Sequence, residues 1–299
     1  MQVALTGATG FIGRYIATHL AQQGHQLRCW HRTSSNRDAF GHVGDLNWIE
    51  GDLGDSESAN SLVEGCDAVV HAALYRPGTG FRGTEGNVIE FVQKNVVGTL
   101  ALIEAARQAG VGRFVFISTC AVHEKILDDR PLDEAHPLWA TSHYGAYKAA
   151  IEKFVHSYGL GDGYPICALR PTGVYGATRP IQNSKWFDLV AAVVRGDTVQ
   201  CSRGGKEVHA ADVAKAVGIL LTADGIAGEA FNCYDRYVSE FDVARLAKEL
   251  SGSTSRIVGE PLQPKHQIAT DKIRALGMKF GGDKLLSQTV SELIEGVER

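Results

Sequence analysis

The start of the chain constrains its fold most, because an apolar run there gives way to a glycine-rich turn. Val3–Leu5 is apolar, glycines follow at positions 7, 10 and 13, and apolar residues recur at helical spacing from Phe11. This pattern predicts a strand, a tight turn and a helix. Gly7 permits the turn, Gly10 lets backbone approach a ligand, and Gly13 lets the helix pack against the strand. The free N–H groups of such a helix N-terminus suit a pyrophosphate.

Strand and helix patterns alternate over the first 170 residues, which predicts an α/β fold whose parallel sheet is covered by helices on both faces. The predicted strands are residues 3–5, 26–30, 46–50, 68–71, 114–118 and 166–169, and the main predicted helices are residues 88–109 and 142–158, with a shorter helix capped near Ser56. A glycine-rich loop at residues 77–87 follows the fourth strand, where either a lid or a plain surface loop is expected.

Beyond residue 170 the alternation becomes irregular, and this predicts a second, smaller domain. One more helix and one more strand, within residues 209–234, would return to the first sheet. We therefore expect a Rossmann-type doubly wound dinucleotide-binding domain from residues 1–170 and about 209–234. Residues 171–208 and 235–299 would form the C-terminal substrate domain.

The bulk composition excludes several classes of protein. The chain of 299 residues carries 30 basic and 34 acidic side chains without a basic block, so no nucleic-acid partner is expected. No apolar stretch is long enough to span a membrane. The six cysteines are scattered, as in reduced cytoplasmic proteins, and the histidines show no metal-ligand spacing. A cytoplasmic enzyme or binding protein without a metal is therefore expected.

A tyrosine and a lysine four residues apart give the second strong signal. On the predicted helix over residues 142–158, Tyr144 and Lys148 would lie on one face. A phenol titrates near pH 10, and a nearby ammonium lowers its pKa. Tyr144 is therefore predicted to exchange a proton with a substrate oxygen, with Lys148 tuning it. Tyr147 is predicted to be structural.

The end of the fifth predicted strand supplies hydroxyl groups. Thr119 is the preferred partner for the substrate oxygen beside the predicted acid–base tyrosine, and Ser118 is the alternative.

The ends of the second and third strands bear on the choice of nucleotide. No carboxylate stands at the end of the second strand, and Arg32 is placed to meet a 2′-phosphate. This favours NADP over NAD, although a solvent-exposed arginine is the alternative. Asp52 is expected to accept a hydrogen bond from the adenine amino group, with a turn-capping role as the alternative.

Motifs along nearly the whole chain resemble the extended short-chain dehydrogenase/reductases of the NAD(P)-dependent epimerase/dehydratase superfamily. They are TGATGFIG (6–13), GDL (51–53), VVHAA (69–73), NVVGTLALIEAAR (95–107), FVFISTCAV (114–122), YGAYK (144–148), LRPTGVYG (169–176), HAADVAKAV (209–217) and KIRALGMKF (272–280). The resemblance implies that Thr119 and Tyr144 are the catalytic pair and that Lys148 also holds the nicotinamide ribose. It implies that further cofactor contacts come from Tyr144 itself and from Thr9, Phe11, Ile12, Leu53, Ala72, Ala73, Asn95, Pro171, Thr172 and Val174. For Asn95 the alternative is that it only holds its helix in place.

Two departures from the family pattern bear on the substrate. Sugar-nucleotide 4,6-dehydratases of this family carry an Asp-Glu pair after the strand-five hydroxyl, and this chain has Cys120–Ala121, which argues against that dehydration. Many family members that act on nucleotide sugars carry an asparagine that faces the diphosphate, and the matching position here is Gly173.

These observations predict an NAD(P)-dependent oxidoreductase that moves hydride between nicotinamide and a hydroxyl or carbonyl carbon. The substrate would be a small carbonyl compound, an alcohol or a nucleotide sugar. One alternative is a nucleotide-sugar epimerase that retains NAD, and another is a non-catalytic NADP-binding sensor or scaffold. The resemblance also implies that the two long helices allow a homodimer.

Overall fold

A parallel seven-stranded sheet is the largest sheet of the computed structural model, which describes residues 1–37, 40, 46–78 and 85–298. The strands of the whole chain are β1 (Gln2–Thr6), β2 (Gln26–His31), β3 (Asn47–Glu50), β4 (Ala68–His71), β5 (Arg113–Ile117), β6 (Ile166–Pro171), β7 (Gly173–Tyr175), β8 (Val199–Cys201), β9 (Gly204–His209), β10 (Glu229–Cys233), β11 (Arg236–Ser239) and β12 (Ile257–Gly259). The large sheet has the order β10-β6-β5-β4-β1-β2-β3, and all neighbours run parallel.

The order of strands in this sheet confirms the predicted Rossmann-type, doubly wound α/β fold. The chain turns from β1 outward to β2 and β3, then crosses back to β4, β5 and β6. Ligands of such sheets bind beyond the carboxyl ends of the strands at this reversal. Apolar runs form the strands because both faces are covered, and Val3, Ala4 and Leu5 are fully buried.

The helices lie between the strands, as the alternating pattern predicts. They are α1 (Phe11–Gln22), α2 (Ser56–Val63), α3 (Val88–Val92), α4 (Gly98–Gln108), α5 (His143–His156), α6 (Phe187–Val194), α7 (Ala210–Thr222), α8 (Glu240–Ser251), α9 (Asp271–Ala275) and α10 (Gly282–Glu298). The helix predicted over residues 88–109 contains a π-helical turn, Gln93–Val97, between α3 and α4. The predicted cap near Ser56 is the adjacent Asp55, whose carboxylate accepts from the Glu57 N–H.

The chain divides into two units, each with its own core. The first unit is Met1–Pro171, Val213–Cys233 and Ile268–Met278, and the second is Thr172–Asp212, Tyr234–Gln267 and Lys279–Arg299. In the second unit β7, β9 and β11 form a small sheet, and β8 pairs with β12. Its core is formed by apolar residues of α6, α8 and α10, among them Val190, Val243 and Leu293.

Two sequence-based expectations concern the glycine-rich loop after β4 and the absence of a membrane span. Residues 79–84 of the glycine-rich loop at 77–87 lie outside the described residues, so the lid hypothesis stays a prediction. Among the helices that the structure describes, none combines the length and apolar character needed to cross a bilayer.

Candidate functional site

The turn between β1 and α1 lies directly against the chain that leaves β4. Gly7 has a φ of 71°, and a Cβ there would lie 2.7 Å from the Ala72 carbonyl carbon and the Ala73 nitrogen. A Cβ at Gly13 would lie 2.0 Å from the Gly7 carbonyl oxygen. Only glycine fits either position, so the turn is closed as tightly as a phosphate-binding backbone requires.

Helix α1 begins without a side-chain cap. Its N-cap residue is Gly10, and its first helical residues are Phe11 and Ile12. The backbone N–H groups of this first turn therefore receive no hydrogen bond acceptor from an N-cap side chain. A helix N-terminus of this kind, next to a tight glycine turn, suits an anionic pyrophosphate, and its binding here stays a prediction.

A buried histidine links the ends of β1 and β4. The Thr99 hydroxyl donates to the Asn95 carbonyl, so it accepts from His71 Nε2, 2.9 Å away. His71 Nδ1 then accepts from the Thr6 hydroxyl, whose oxygen in turn accepts from the Ala73 N–H. This chain of bonds requires a neutral imidazole. Burial, with a smaller effect of the Lys148 ammonium, lowers the pKa of His71 to about 3.

Asn95 fixes the loop that follows β4. Its side-chain oxygen accepts from the Tyr75 N–H at 2.8 Å, and its amide nitrogen donates to the carbonyls of Tyr75 and Phe91. Asn95 is fully buried and lies in the π-helical turn. The structure therefore adds a loop-holding role to the helix-holding alternative, and contact with a cofactor stays a prediction.

The residues predicted near the adenosine end lie on the ends of β2 and β3. Arg32 is exposed just beyond β2, where its N–H donates to Ser35. Asp52 pairs with Lys94 at 3.3 Å, and Leu53 is buried.

A carboxylate at the end of the third strand was not among the predicted site residues. Glu50 ends β3 beside His31 of β2 and accepts from the Thr33 hydroxyl. The prediction considered only the end of the second strand when looking for a ribose-binding carboxylate. The position of Glu50 at the end of the adjacent third strand is a signal that the sequence does contain.

Tyr144 and Lys148 lie one turn apart on α5, whose N-cap Ser142 bonds the Gly145 N–H. The Lys148 Nζ lies 5.9 Å from the centre of the Tyr144 ring and donates to the Ile117 carbonyl at 2.6 Å. Lys148 is 4 % exposed, and this burial lowers its pKa to about 7, while Glu152 acts in the opposite direction. Tyr144 itself is only half-buried.

Thr119 and Ser118 differ in what their hydroxyls do. Thr119 is the N-cap of a short 3₁₀ helix, where its Oγ1 accepts from the Ala121 N–H at 3.1 Å. The Ser118 hydroxyl instead donates to the fully buried carboxylate of Glu152. Ser118 is therefore occupied inside the protein, and Thr119 is the better partner for a substrate oxygen.

Glu152 is a second residue that was not predicted from the sequence, and its carboxylate is bound by Arg170. Arg170, the penultimate residue of β6, donates to it from Nε at 3.0 Å, and the Arg170 Nη1 reaches His123 and the Glu134 carbonyl. A buried carboxylate needs such partners. The signal was present, because Tyr144, Lys148 and Glu152 recur at intervals of four.

The remaining predicted residues are divided between the units. Tyr147 is buried against Phe91 and Phe116, as expected of a structural residue. Pro171 ends β6 in the first unit, whereas Thr172 and Val174 belong to the second. Thr9 lies in the glycine turn before α1.

Comparisons with known proteins agree with this architecture. The sequence model of the NAD dependent epimerase/dehydratase family matches residues 3–233. The chain is 31% identical over 280 residues to a 4-hydroxy-2-methyl-3-oxo-4-farnesyl-3,4-dihydroquinoline-1-oxide ketoreductase of Stigmatella aurantiaca, covering 90% of this chain and 79% of that one.

It is also 29% identical over 247 residues to the Arabidopsis thaliana trifunctional UDP-glucose 4,6-dehydratase/UDP-4-keto-6-deoxy-D-glucose 3,5-epimerase/UDP-4-keto-L-rhamnose-reductase RHM1. That match takes in 77% of this chain and only 36% of the plant protein.

A solved structure shows the same fold at low identity. It is the UDP-glucose-4-epimerase of Stenotrophomonas maltophila with bound NAD and formylated UDP-arabinopyranose. Its TM-score is 0.81 at 22% identity, with 100% of this chain and 98% of that chain covered. The match of the family model over most of the chain, on a sheet with this glycine turn and this Tyr-Lys helix, shows that the chain belongs to the NAD dependent epimerase/dehydratase family.

Proposed function

We propose that the chain is a nicotinamide-dependent oxidoreductase that interconverts a hydroxyl and a carbonyl group, with Tyr144 as the proton donor or acceptor. The observation that supports this most is the buried Lys148, held by the Ile117 carbonyl at 2.6 Å beneath the half-buried Tyr144 ring. A buried ammonium is unfavourable in any role, so its retention points to a functional site, and its charge would stabilise a phenolate of Tyr144.

The geometry of the glycine turn supports a nicotinamide dinucleotide as the cofactor. Gly7, Gly10 and Gly13 with the N-terminus of α1 would hold its pyrophosphate, and Ala72 and Ala73 would line it. When bound, the nicotinamide ring supplies or accepts the hydride. Thr119 would orient the substrate oxygen, and Tyr144 would move the proton between that oxygen and its own phenol.

Arg32 supports NADP as the preferred form of the cofactor. It is exposed just beyond β2, where a ribose 2′-phosphate is expected, and arginine suits phosphate. Glu50 on the adjacent strand is already engaged with Thr33. Comparing the KM values for NADP and NAD tests this preference directly.

The second unit would then bind the substrate, and a net oxidoreductase is favoured over an epimerase. An exchanging reductase releases its cofactor after each turnover, whereas an epimerase retains it. Denaturing the purified protein and identifying the released nucleotide by mass separates the two. A trace of NADP or no nucleotide supports the oxidoreductase, and one equivalent of NAD supports a nucleotide-sugar epimerase.

A homodimer through the helices of residues 88–109 and 142–158 is proposed on the apolar side chains that α3 and α5 expose. Ile89 is 66 % exposed and Phe154 is 39 % exposed. Light scattering of the protein and of the Ile89→Lys variant tests it, since the variant should be monomeric.

A further inference from the structure

A strained aromatic residue marks one place in the second unit. Trp186 has a φ of 68°, and among the described residues it is the one non-glycine residue in the left-handed region. Bulky side chains adopt this conformation only when their surroundings impose it, and such residues collect at ligand sites. The Trp186 ring lies 5.2 Å from the Tyr175 ring and 5.2 Å from the Lys185 Nζ.

Lys185, the neighbour of this tryptophan, pairs with a carboxylate that is incompletely satisfied. Its Nζ donates to Oε1 of Glu207 at 2.5 Å. The Glu207 side chain is 3% exposed, whereas that of Lys185 is 37% exposed, so the pair reaches the surface through the lysine. Within the described part of the chain, Glu207 Oε2 has no hydrogen-bond partner. A buried acceptor in that state is unfavourable until a donor reaches it.

Two glycines make room for this carboxylate. The register of β7 on β9 places Gly173 beside Glu207. A Cβ at Gly173 would lie 2.7 Å from Oε2, and a Cβ at Gly205 would clash with Oε1. Side chains at either position would displace the carboxylate, and the Gly173 backbone is exposed. The carboxylate therefore lies directly beneath the exposed Gly173 backbone, and the lysine is the member of the pair that reaches the surface.

We propose that Lys185 and Glu207 form a hydroxyl-binding subsite of the second unit, which selects a neutral polyhydroxy substrate, such as an aldose or polyol, over a phosphorylated one. A hydroxyl both donates and accepts, so it can accept from the exposed ammonium and donate to the carboxylate of the pair. The pair has no net charge, and an anionic phosphate would meet a carboxylate that only accepts. The proposal names the substrate class of the proposed oxidoreductase and rests on that function.

The test is a binding experiment that needs no turnover. Holoprotein saturated with nicotinamide dinucleotide is titrated with D-xylose, D-glucose, myo-inositol, inorganic pyrophosphate and UDP, followed by calorimetry and ligand-observed NMR. We expect at least one neutral compound to bind to the wild type, and pyrophosphate and UDP not to bind. Glu207→Gln keeps the shape of the side chain but weakens the charge-assisted bond, so it should weaken that binding roughly tenfold or more.

Pyrophosphate provides the opposite readout. Removing the carboxylate charge leaves the Lys185 ammonium without its counter-ion, so Glu207→Gln should gain pyrophosphate binding, and the double variant with Lys185→Met should lose it again. Glu249→Gln and Lys284→Met, two exposed residues of the same unit, are the matched controls and should behave as wild type. Thermal unfolding of each variant confirms that the fold is intact.

Three results would overturn the subsite. They are tighter binding of UDP or pyrophosphate than of any neutral compound by the wild type, equal binding of the neutral compound by Glu207→Gln, and no binding of any neutral compound. A protein that binds aldoses but transfers no hydride contradicts the proposed function and leaves the subsite standing. A protein that turns over other substrates without binding polyols contradicts the subsite alone.

Discussion

Lys148 donates a hydrogen bond to the carbonyl of Ile117, 2.6 Å away, and so ties α5 to the end of β5. One turn further along α5, Glu152 accepts from Ser118, the next residue of the strand end. These two bonds, one at the backbone carbonyl of Ile117 and one at the side chain of Ser118, hold the two residues immediately before Thr119. The helix that carries Tyr144 and the strand end that carries Thr119 are therefore held in one register, which is what a shared substrate oxygen requires.

Replacing Tyr144 by Phe should remove turnover and leave the fold intact. The loss of a general acid–base typically lowers kcat by about 100-fold or more. Steady-state rates measured over a panel of carbonyl compounds test this. Tyr147→Phe is the matched control, because Tyr147 is buried against Phe91 and should tolerate the loss of its hydroxyl. Wild-type activity of the Tyr144→Phe variant would show that Tyr144 is not the general acid–base.

Replacing Lys148 by Met should abolish activity and stabilise the protein. The folded state lowers the pKa of Lys148 from 10.5 to about 7, so protonation favours the unfolded chain. At pH 7 and below, the variant should gain about 1–3 kcal/mol in the free energy of unfolding, and the gain should shrink as the pH rises toward 10.5. Denaturant unfolding across this range measures it. Lys153→Met, exposed on the same helix, should gain nothing.

Glu152→Gln should shift the pH profile of kcat. Glu152 favours the cationic form of Lys148, so losing its charge lowers the pKa of Lys148 further. The alkaline limb that reports loss of the ammonium should move to lower pH, with a lower rate at pH 7. His71, which faces Lys148 from β4, does not interfere, because burial keeps its pKa at about 3. Tyr144 and Tyr147 are the remaining titratable groups beside the ammonium. An unmoved pH profile would restrict Glu152 to a structural role.

Gly13→Ala should weaken dinucleotide binding severely. The new Cβ would lie 2.0 Å from the Gly7 carbonyl oxygen, so the phosphate-binding turn must open. We expect at least a tenfold rise in the Kd for the dinucleotide, measured by calorimetry, which corresponds to about 1.4 kcal/mol. Gly112→Ala is the control, because its Cβ would meet only the Asp67 carbonyl at 3.8 Å. Unchanged affinity in Gly13→Ala would place the pyrophosphate elsewhere.

Arg32→Ala should change the choice of cofactor. Losing the charged contact to a 2′-phosphate should raise the KM for NADP about tenfold or more, while the KM for NAD stays near its wild-type value. NAD thus serves as the internal control. Equal changes for both nucleotides would show that Arg32 does not read the 2′-phosphate.

The local patterns of the sequence predicted the elements that depend on local physics. The glycine turn, the alternating strands and the Tyr144–Lys148 spacing follow from backbone geometry and helical periodicity, and the sheet order agrees with them. The π-helical turn around Asn95 was missed because its helical periodicity continues through it. Helix propensity also did not distinguish Asp55 from Ser56 as the cap of α2.

Contacts between distant residues were beyond the sequence argument. Glu152 meets Arg170 across 18 positions, and Lys185 meets Glu207 across 22. A lone glutamate in a helix or strand is normally a solvated side chain, and only the fold shows that these two are buried. The sequence singles out Gly173 as a departure from the family pattern. That the carboxylate of Glu207 lies against it follows only from the register of β7 on β9.

The most direct test of the account follows a labelled hydride. Protein is incubated with dinucleotide deuterated at C4 of the reduced nicotinamide, together with a panel of carbonyl compounds, and the products are analysed by mass spectrometry. We expect one deuterium on the new carbinol carbon with the wild type, and none with Tyr144→Phe at equal dinucleotide occupancy. Transfer by Tyr144→Phe at the wild-type rate, or no transfer by the wild type to any compound despite bound dinucleotide, would contradict it.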